Sequence, residues 1–167
     1  MAGGTGADRL RGGPGDDTTH GDNPDDSTPS DAAADGADDI GGGSGDDSLF
    51  GQGGADTIRG GTGDDMIDAG EGDDVLANGN GGSDVVIGGP GDDQLVAGGP
   101  RPDRVEGSAG NDIVKGNGGA DTLDGGPGND QLRGGPQPDT LVGGTGVDSC
   151  IGGTEPDMFD QCEFVTE

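Results

Sequence analysis

The chain has no tryptophan and no tyrosine, and only three phenylalanines in 167 residues. Hydrophobic residues make up 25% of it, too few for a conventional globular core. A single histidine and two cysteines exclude a zinc ladder, because zinc prefers nitrogen and sulfur. Seven basic residues stand against 35 acids, a net charge of −28. That balance makes nucleic acid and anionic membrane poor partners and points to a cation. No apolar run approaches the length of a membrane span. Met1 leads straight into Gly3-Gly4 with no secretory leader pattern, so the start reads as a module boundary or a truncated gene.

Glycine, by contrast, is abundant: 43 residues. By composition alone such a chain belongs with disordered polyanions. Its order lies in a repeat. Gly88 to Val96 read GGPGDDQLV, Gly125 to Arg133 GGPGNDQLR, Gly60 to Asp68 GGTGDDMID, Gly42 to Phe50 GGSGDDSLF and Gly3 to Arg11 GGTGADRLR. The same register can be followed over seventeen units, from Gly3 to Asp160. The third unit is irregular, with an acidic, Pro-containing insertion within 21–32. Single extra residues, Asn78 and Ala97, precede the ninth and eleventh units and are expected to bulge out without shifting the stack.

Position eight of the unit is aliphatic almost throughout; Thr19 and Thr28 are the early exceptions. One inward side chain in nine cannot make a helix face. It suits a strand of about three residues with its middle residue pointing in, followed by a Gly-rich turn. Two units make an 18-residue coil. The predicted fold is all-β, a right-handed parallel β-roll of roughly eight coils, about 38 Å long at a coil spacing of ~4.8 Å. The roll is assigned to 3–160 and a C-terminal cap to 161–167.

Stacking brings the position-six aspartates to within about 5 Å of their counterparts above and below, where carboxylates repel unless protonated or bridged by a cation. Calcium takes six to eight oxygens and tolerates irregular geometry, so carboxylates and turn carbonyls suit it; magnesium suits the site less well. About 14 divalent ions would neutralise a charge of this size.

These strings resemble the RTX, or haemolysin-type, calcium-binding nonapeptide repeat, Gly-Gly-x-Gly-x-Asp-x-aliphatic-x. The resemblance implies a calcium-binding β-roll, disordered at low calcium and folded after secretion. It implies metal ligation by Asp8, Asp17, Asp38, Asp47, Asp56, Asp65, Asp74, Asp84, Asp93, Asp103, Asp112, Asp121, Asp130, Asp139, Asp148 and Asp157, with turn carbonyls. The chain lacks the longer C-terminal export signal and the large catalytic or pore-forming segment of many members; the stretch DSCIGGTEPDMFDQCE looks more like small Cys-capped bacterial calcium-binding proteins.

No catalytic constellation emerges, and no enzyme activity is expected. The leading reading is a secreted calcium-responsive structural module, its cell-surface or matrix partner unknown. The alternative is the noncatalytic C-terminal part of a larger secreted enzyme, toxin or adhesin. An ice-binding role would need an extended threonine ladder, and position-three threonine occurs only at Thr5, Thr62, Thr145 and Thr154. Odd and even units should line opposite edges of the roll. Position four is Gly in every even unit, but Arg101, Gln137 and Glu155, each before a proline, in three odd ones. Calcium is therefore expected in an unbroken row along the even edge and to be weak or missing near those three turns and the third unit, which has Pro24 at position four. The position-five acids Asp16, Asp46, Asp64, Asp73 and Asp92 are expected to face solvent, as is His20. Phe159 and Phe164 are expected to cover the open end. Cys150 and Cys162 are read either as a disulfide closing that end or as two buried thiols.

Overall fold

The computed structural model describes residues 2, 7, 9–15, 17–20, 36–77 and 81–166. Every regular element among them is a β-strand. The strands are β1 (Arg9–Pro14), β2 (Thr18–His20), β3 (Asp39–Ser44), β4 (Ser48–Gly53), β5 (Thr57–Thr62), β6 (Met66–Glu71), β7 (Val75–Ala77), β8 (Val85–Pro90) and β9 (Gln94–Val96). There follow β10 (Arg104–Ala109), β11 (Ile113–Lys115), β12 (Thr122–Gly128), β13 (Gln131–Gly135), β14 (Thr140–Gly146), β15 (Ser149–Gly153), β16 (Met158–Asp160) and β17 (Phe164–Thr166). Successive strands alternate between two sheets. Odd-numbered strands form a nine-stranded sheet and even-numbered strands an eight-stranded one, each in chain order. Every pairing is parallel, as a right-handed β-roll requires.

The register follows the position-eight residue. Ile40 pairs with Ile58, Ile58 with Leu76, Leu76 with Leu95, and Leu132 with Cys150. In the other sheet Leu49 pairs with Ile67, Val86 with Val105, and Leu123 with Leu141. These side chains make up most of the core, with Ala69 and Ala97 beside them: Ile40, Leu49, Ile58, Ile67, Leu76, Val86, Leu95, Val114, Leu123 and Leu141 are completely buried. At a period of two, the residues flanking each one turn outward, which is why three-residue strands such as Gln94–Val96 suffice. Several strands are longer than that, six residues or more, because pairing runs on through the Gly-Gly step; Gly43 pairs with Gly61.

Three expectations are corrected. Leu10 stacks on Ile40 and Thr19 on Leu49, so the first two units sit directly against the fourth and fifth. The first two units therefore exchange edges relative to a strict odd–even count. The third unit falls within 21–35, outside the described residues; in sequence its position eight is Thr28, between Pro24 and Pro29, rather than an aliphatic residue. Second, Ala97 does not bulge out. It is buried in the core, its N–H donating to the Lys115 carbonyl. Third, His20 is not simply solvated: it stacks on Phe50 across the paired strands, rings 4.8 Å apart.

At the C-terminal end, Cys150 and Cys162 are joined in a disulfide. Phe159 and Cys162 pack against the core, but Phe164 points outward from β17 and is exposed. The end is thus closed by β17, which pairs with β15, and by the disulfide.

Candidate metal centre

Each unit turns through six residues before its short strand. Position four of the regular turns has positive φ, as at Gly45 (+121°) and Gly128 (+158°). Such values are open to glycine alone. The carbonyls of the next coil are then caught in order: the Gly45 N–H donates to the Thr62 carbonyl at 2.8 Å and the Gly91 N–H to Ala109 at 2.8 Å. Arg101, Gln137 and Glu155 are absent from the positive-φ residues, so their turns have the different shape their prolines predict.

The turn delivers position six inward. The aspartates from Asp38 to Asp148 are all buried, while Asp17 and Asp157 at the two ends are half-buried; Asp8 lies outside the described residues. Thirteen buried carboxyl groups in a chain with so thin a core demand an explanation. Half of it is a hydrogen-bond ladder. The N–H of each aspartate donates to Oδ1 of its counterpart in the next coil: Asp65 to Asp84 at 2.8 Å, Asp93 to Asp112 at 2.9 Å, Asp112 to Asp130 at 2.8 Å, Asp121 to Asp139 at 2.8 Å. Backbone and side chain of one residue type thus clamp successive coils.

The second oxygen has no such use. Oδ2 of Asp65, Asp74, Asp93, Asp103, Asp112, Asp121, Asp130, Asp139 and Asp148 is buried without a hydrogen-bond partner. Burial dominates the electrostatics and pushes the carboxyl groups up, against the pull of the donated N–H. Asp65, Asp74, Asp121 and Asp130 rise to about 6, and Asp93 and Asp103 to about 7. Neighbouring carboxylates push in the same direction: Asp74 and Asp112 on Asp93, Asp84 and Asp121 on Asp103. A row of buried anions without counter-charge is what a cation would relieve.

The oxygens for one converge beside the first glycine of the turn. A Cβ at Gly107 would meet Oδ2 of Asp112 at 2.5 Å and the Gly125 carbonyl oxygen at 2.6 Å. A Cβ at Gly125 would likewise meet Oδ2 of Asp130 and, at 2.7 Å, the Gly143 carbonyl. An aspartate oxygen and the next coil's carbonyl therefore approach the same glycine, an all-oxygen donor set suited to a hard cation such as calcium. Among the described residues no three His, Cys, Asp or Glu side chains converge on one point, so any ion has to draw on backbone carbonyls. The residues present fit calcium on these grounds.

The two edges differ. Along the edge that leads into the nine-stranded sheet, position four is Gly from Gly36 to Gly146 without interruption. Along the other edge, at Gly116 and Gly134, the three nearest atoms to an added Cβ all belong to the turn's own aspartate, Asp121 or Asp139. There the Gly134 carbonyl accepts from the Asn117 N–H at 2.9 Å, and the Gly119 N–H donates to Oε1 of Gln137 at 3.2 Å. Arg101 forms an ion pair with Asp64 at 3.4 Å on the same edge.

The position-five side chains are exposed, as expected, yet not idle. The N–H groups of Asp64 and Asp92 donate to Oδ1 of Asp46 and Asp73 one coil earlier, at 2.8 and 2.9 Å. The row continues through Asn111 and Asn129 to the Val147 N–H. Asp16 lies outside the described residues. The residues that the repeat pattern missed are Gln137 and, in the tail, Gln161 and Glu163. None occupies an aspartate position, and Glu163 stands 15 residues from Asp148 where the repeat would set 18.

The family model described as RTX calcium-binding nonapeptide repeat (4 copies) matches residues 1–27, 33–49, 41–76, 76–99, 97–132 and 124–158. No curated protein matches the chain.

Proposed function

Because the chain belongs to the RTX calcium-binding nonapeptide repeat family, we propose that its position-six aspartates and turn carbonyls hold a row of calcium ions between coils, and that at neutral pH the roll folds only when they are bound. The observation that carries this reading is the row of buried Oδ2 atoms, from Asp65 to Asp148, that have no partner in the protein. When bound, calcium would supply two positive charges per site, held by the aspartate carboxylates and turn carbonyls. The residues do the rest. The N–H ladder fixes each carboxylate, the position-four glycine opens the turn, and the first glycine lets a carboxylate oxygen and a carbonyl approach each other.

The calcium-binding module spans 3–160, with 161–167 as its cap, and acts outside the cell, where calcium is abundant, as a noncatalytic structural element. Its row of ions is continuous along the edge leading into the nine-stranded sheet. It is broken on the other edge around Arg101, Gln137 and Glu155, where Gln137 and the prolines hold the turn instead. The first unit, by its exchange of edges, joins the continuous row.

Circular dichroism during a calcium titration of the chelated protein tests the reading. A gain of β signal at millimolar calcium, weaker with magnesium, is expected. A chain compact and ordered in excess chelator at neutral pH would overturn it. Anomalous scattering from calcium-soaked crystals would locate the ions, and equal occupancy at both edges would refute the broken row.

A further inference from the structure

We propose that the C-terminal tail completes one more cation site beyond the last repeat, built from Asp148, the Gln161 carbonyl and the Glu163 carboxylate, with calcium as its ligand; the inference rests on the calcium reading above. No nonapeptide pattern covers Gln161 or Glu163. The structure nevertheless sets them where a further coil would set a glycine carbonyl and an aspartate.

The substitution is close in geometry. Within the ladder, the Asp130 N–H donates to Oδ1 of Asp148 at 2.8 Å. One coil on, the Asp148 N–H donates to Oε2 of Glu163 at 2.7 Å. The longer glutamate side chain reaches a point that the backbone, at this shorter separation, could not reach with an aspartate. The carbonyl side is copied as well. An added Cβ at Gly125 would meet the Gly143 carbonyl, and at Gly143 it would meet the Gln161 carbonyl together with Oδ2 of Asp148 at 2.8 Å. Gln161 takes a positive φ of +51°. Asp148 is fully buried and its Oδ2 has no partner, so the site holds an uncompensated oxygen.

The tail is held in this position from two sides. The Glu163 and Phe164 N–H groups both donate to the Asp148 carbonyl, at 3.2 and 3.0 Å. The disulfide between Cys162 and Cys150 ties the residue before Glu163 to the strand just after Asp148. The bond thus serves the site as well as the end of the core. Reducing it frees the tail and should weaken this ion before any other.

Calcium counting by native mass spectrometry on the whole chain, with a parallel calcium titration, tests the proposal. Glu163→Gln keeps an acceptor oxygen for the Asp148 N–H but removes the charge. It should bind one calcium fewer than the unaltered chain at saturation, with the β signal retained. Glu155→Gln, which removes an equal charge from a proline turn, should leave the count unchanged. An unchanged count in Glu163→Gln overturns the terminal site and leaves the calcium reading intact; an unaltered chain that binds no calcium overturns both. If Glu163→Gln does not fold, anomalous scattering from calcium-soaked crystals of the unaltered protein decides. A peak between Asp148 and Glu163 supports the site, and its absence rejects it.

Discussion

Gly128→Ala should unfold most of the roll, whereas the same change at Gly15 should be far milder. A Cβ on Gly128 would stand 1.5 Å from the Gly110 carbonyl oxygen of the preceding coil. Carbon and oxygen need about 3 Å or more, so the coils would have to part by roughly 1.5 Å of a spacing near 4.8 Å. The Gly110 N–H to Pro127 carbonyl bond, 3.0 Å long, would then be lost, along with its neighbours. Each such bond contributes about 1 kcal/mol net, and more if a partner is stranded. Holding alanine at a φ of +158° adds about 1–3 kcal/mol. The sum is at least about 4 kcal/mol, at the severe end for a single methyl group. One control separates the clash from the backbone term. Gly15 has a φ of +107° but nothing within 4 Å, so Gly15→Ala should cost only the conformational part, about 1–3 kcal/mol. Urea unfolding in saturating calcium, followed by far-ultraviolet circular dichroism, gives both values. If Gly128→Ala proved as stable as Gly15→Ala, the close approach of the coils would not be what selects glycine at position four.

Three further outcomes are expected. Thr19 is fully buried in the inward row with its hydroxyl unpartnered, so Thr19→Val should stabilise the roll by about 1–2 kcal/mol in the same unfolding assay; a loss would mean the hydroxyl is satisfied after all. Carboxyl groups whose folded values lie near 6–7, above their ordinary 3.8, stabilise the metal-free fold fully only below about pH 4, and that contribution is lost as pH rises through 6–7. In chelator, β signal should therefore grow as pH falls from 8 toward 5, and a flat profile would contradict the buried ladder. Cutting the disulfide by Cys162→Ser opens a loop with a sequence separation of 12 and should cost about 3 kcal/mol of stability, read as a lower urea midpoint in calcium; an unchanged midpoint would show that β17 holds the end unaided.

Most of the fold could be read from one column of the repeat. The aliphatic residue at position eight gave the strand centres, and because its partner from the fourth unit on is the same position two units later, it gave the register as well. Ile58, Ile67 and Leu123 needed no further information. The reading failed before the fourth unit: Leu10 pairs with Ile40 and Thr19 with Leu49, so an odd–even count placed the first two units on the wrong edges. Thr19 shows the limit of the argument from side chains: it enters the stack although polar, because its backbone pairs with β4. The candidate site was legible for the same reason as the core, since each inward aspartate keeps a fixed distance from its aliphatic partner. The tail was not. Glu163 joins the ladder through a longer side chain and a shorter separation, a compensation that no periodic pattern expresses.

The two ways of assembling this roll, acid and calcium, are physically the same event. The core contributes one aliphatic side chain per nine residues, while each unit also buries a carboxyl group. Hydrophobic gain and charge burial therefore rise together along the chain, and lengthening the roll cannot make it independent of its counter-charge. Protonation removes the charge but leaves each Oδ2 unlinked to the next coil. A divalent ion removes it and also joins that oxygen to a carbonyl of the next coil. Calcium should for that reason make unfolding more cooperative as well as less favourable. Acid should restore strand content without restoring the same resistance to urea.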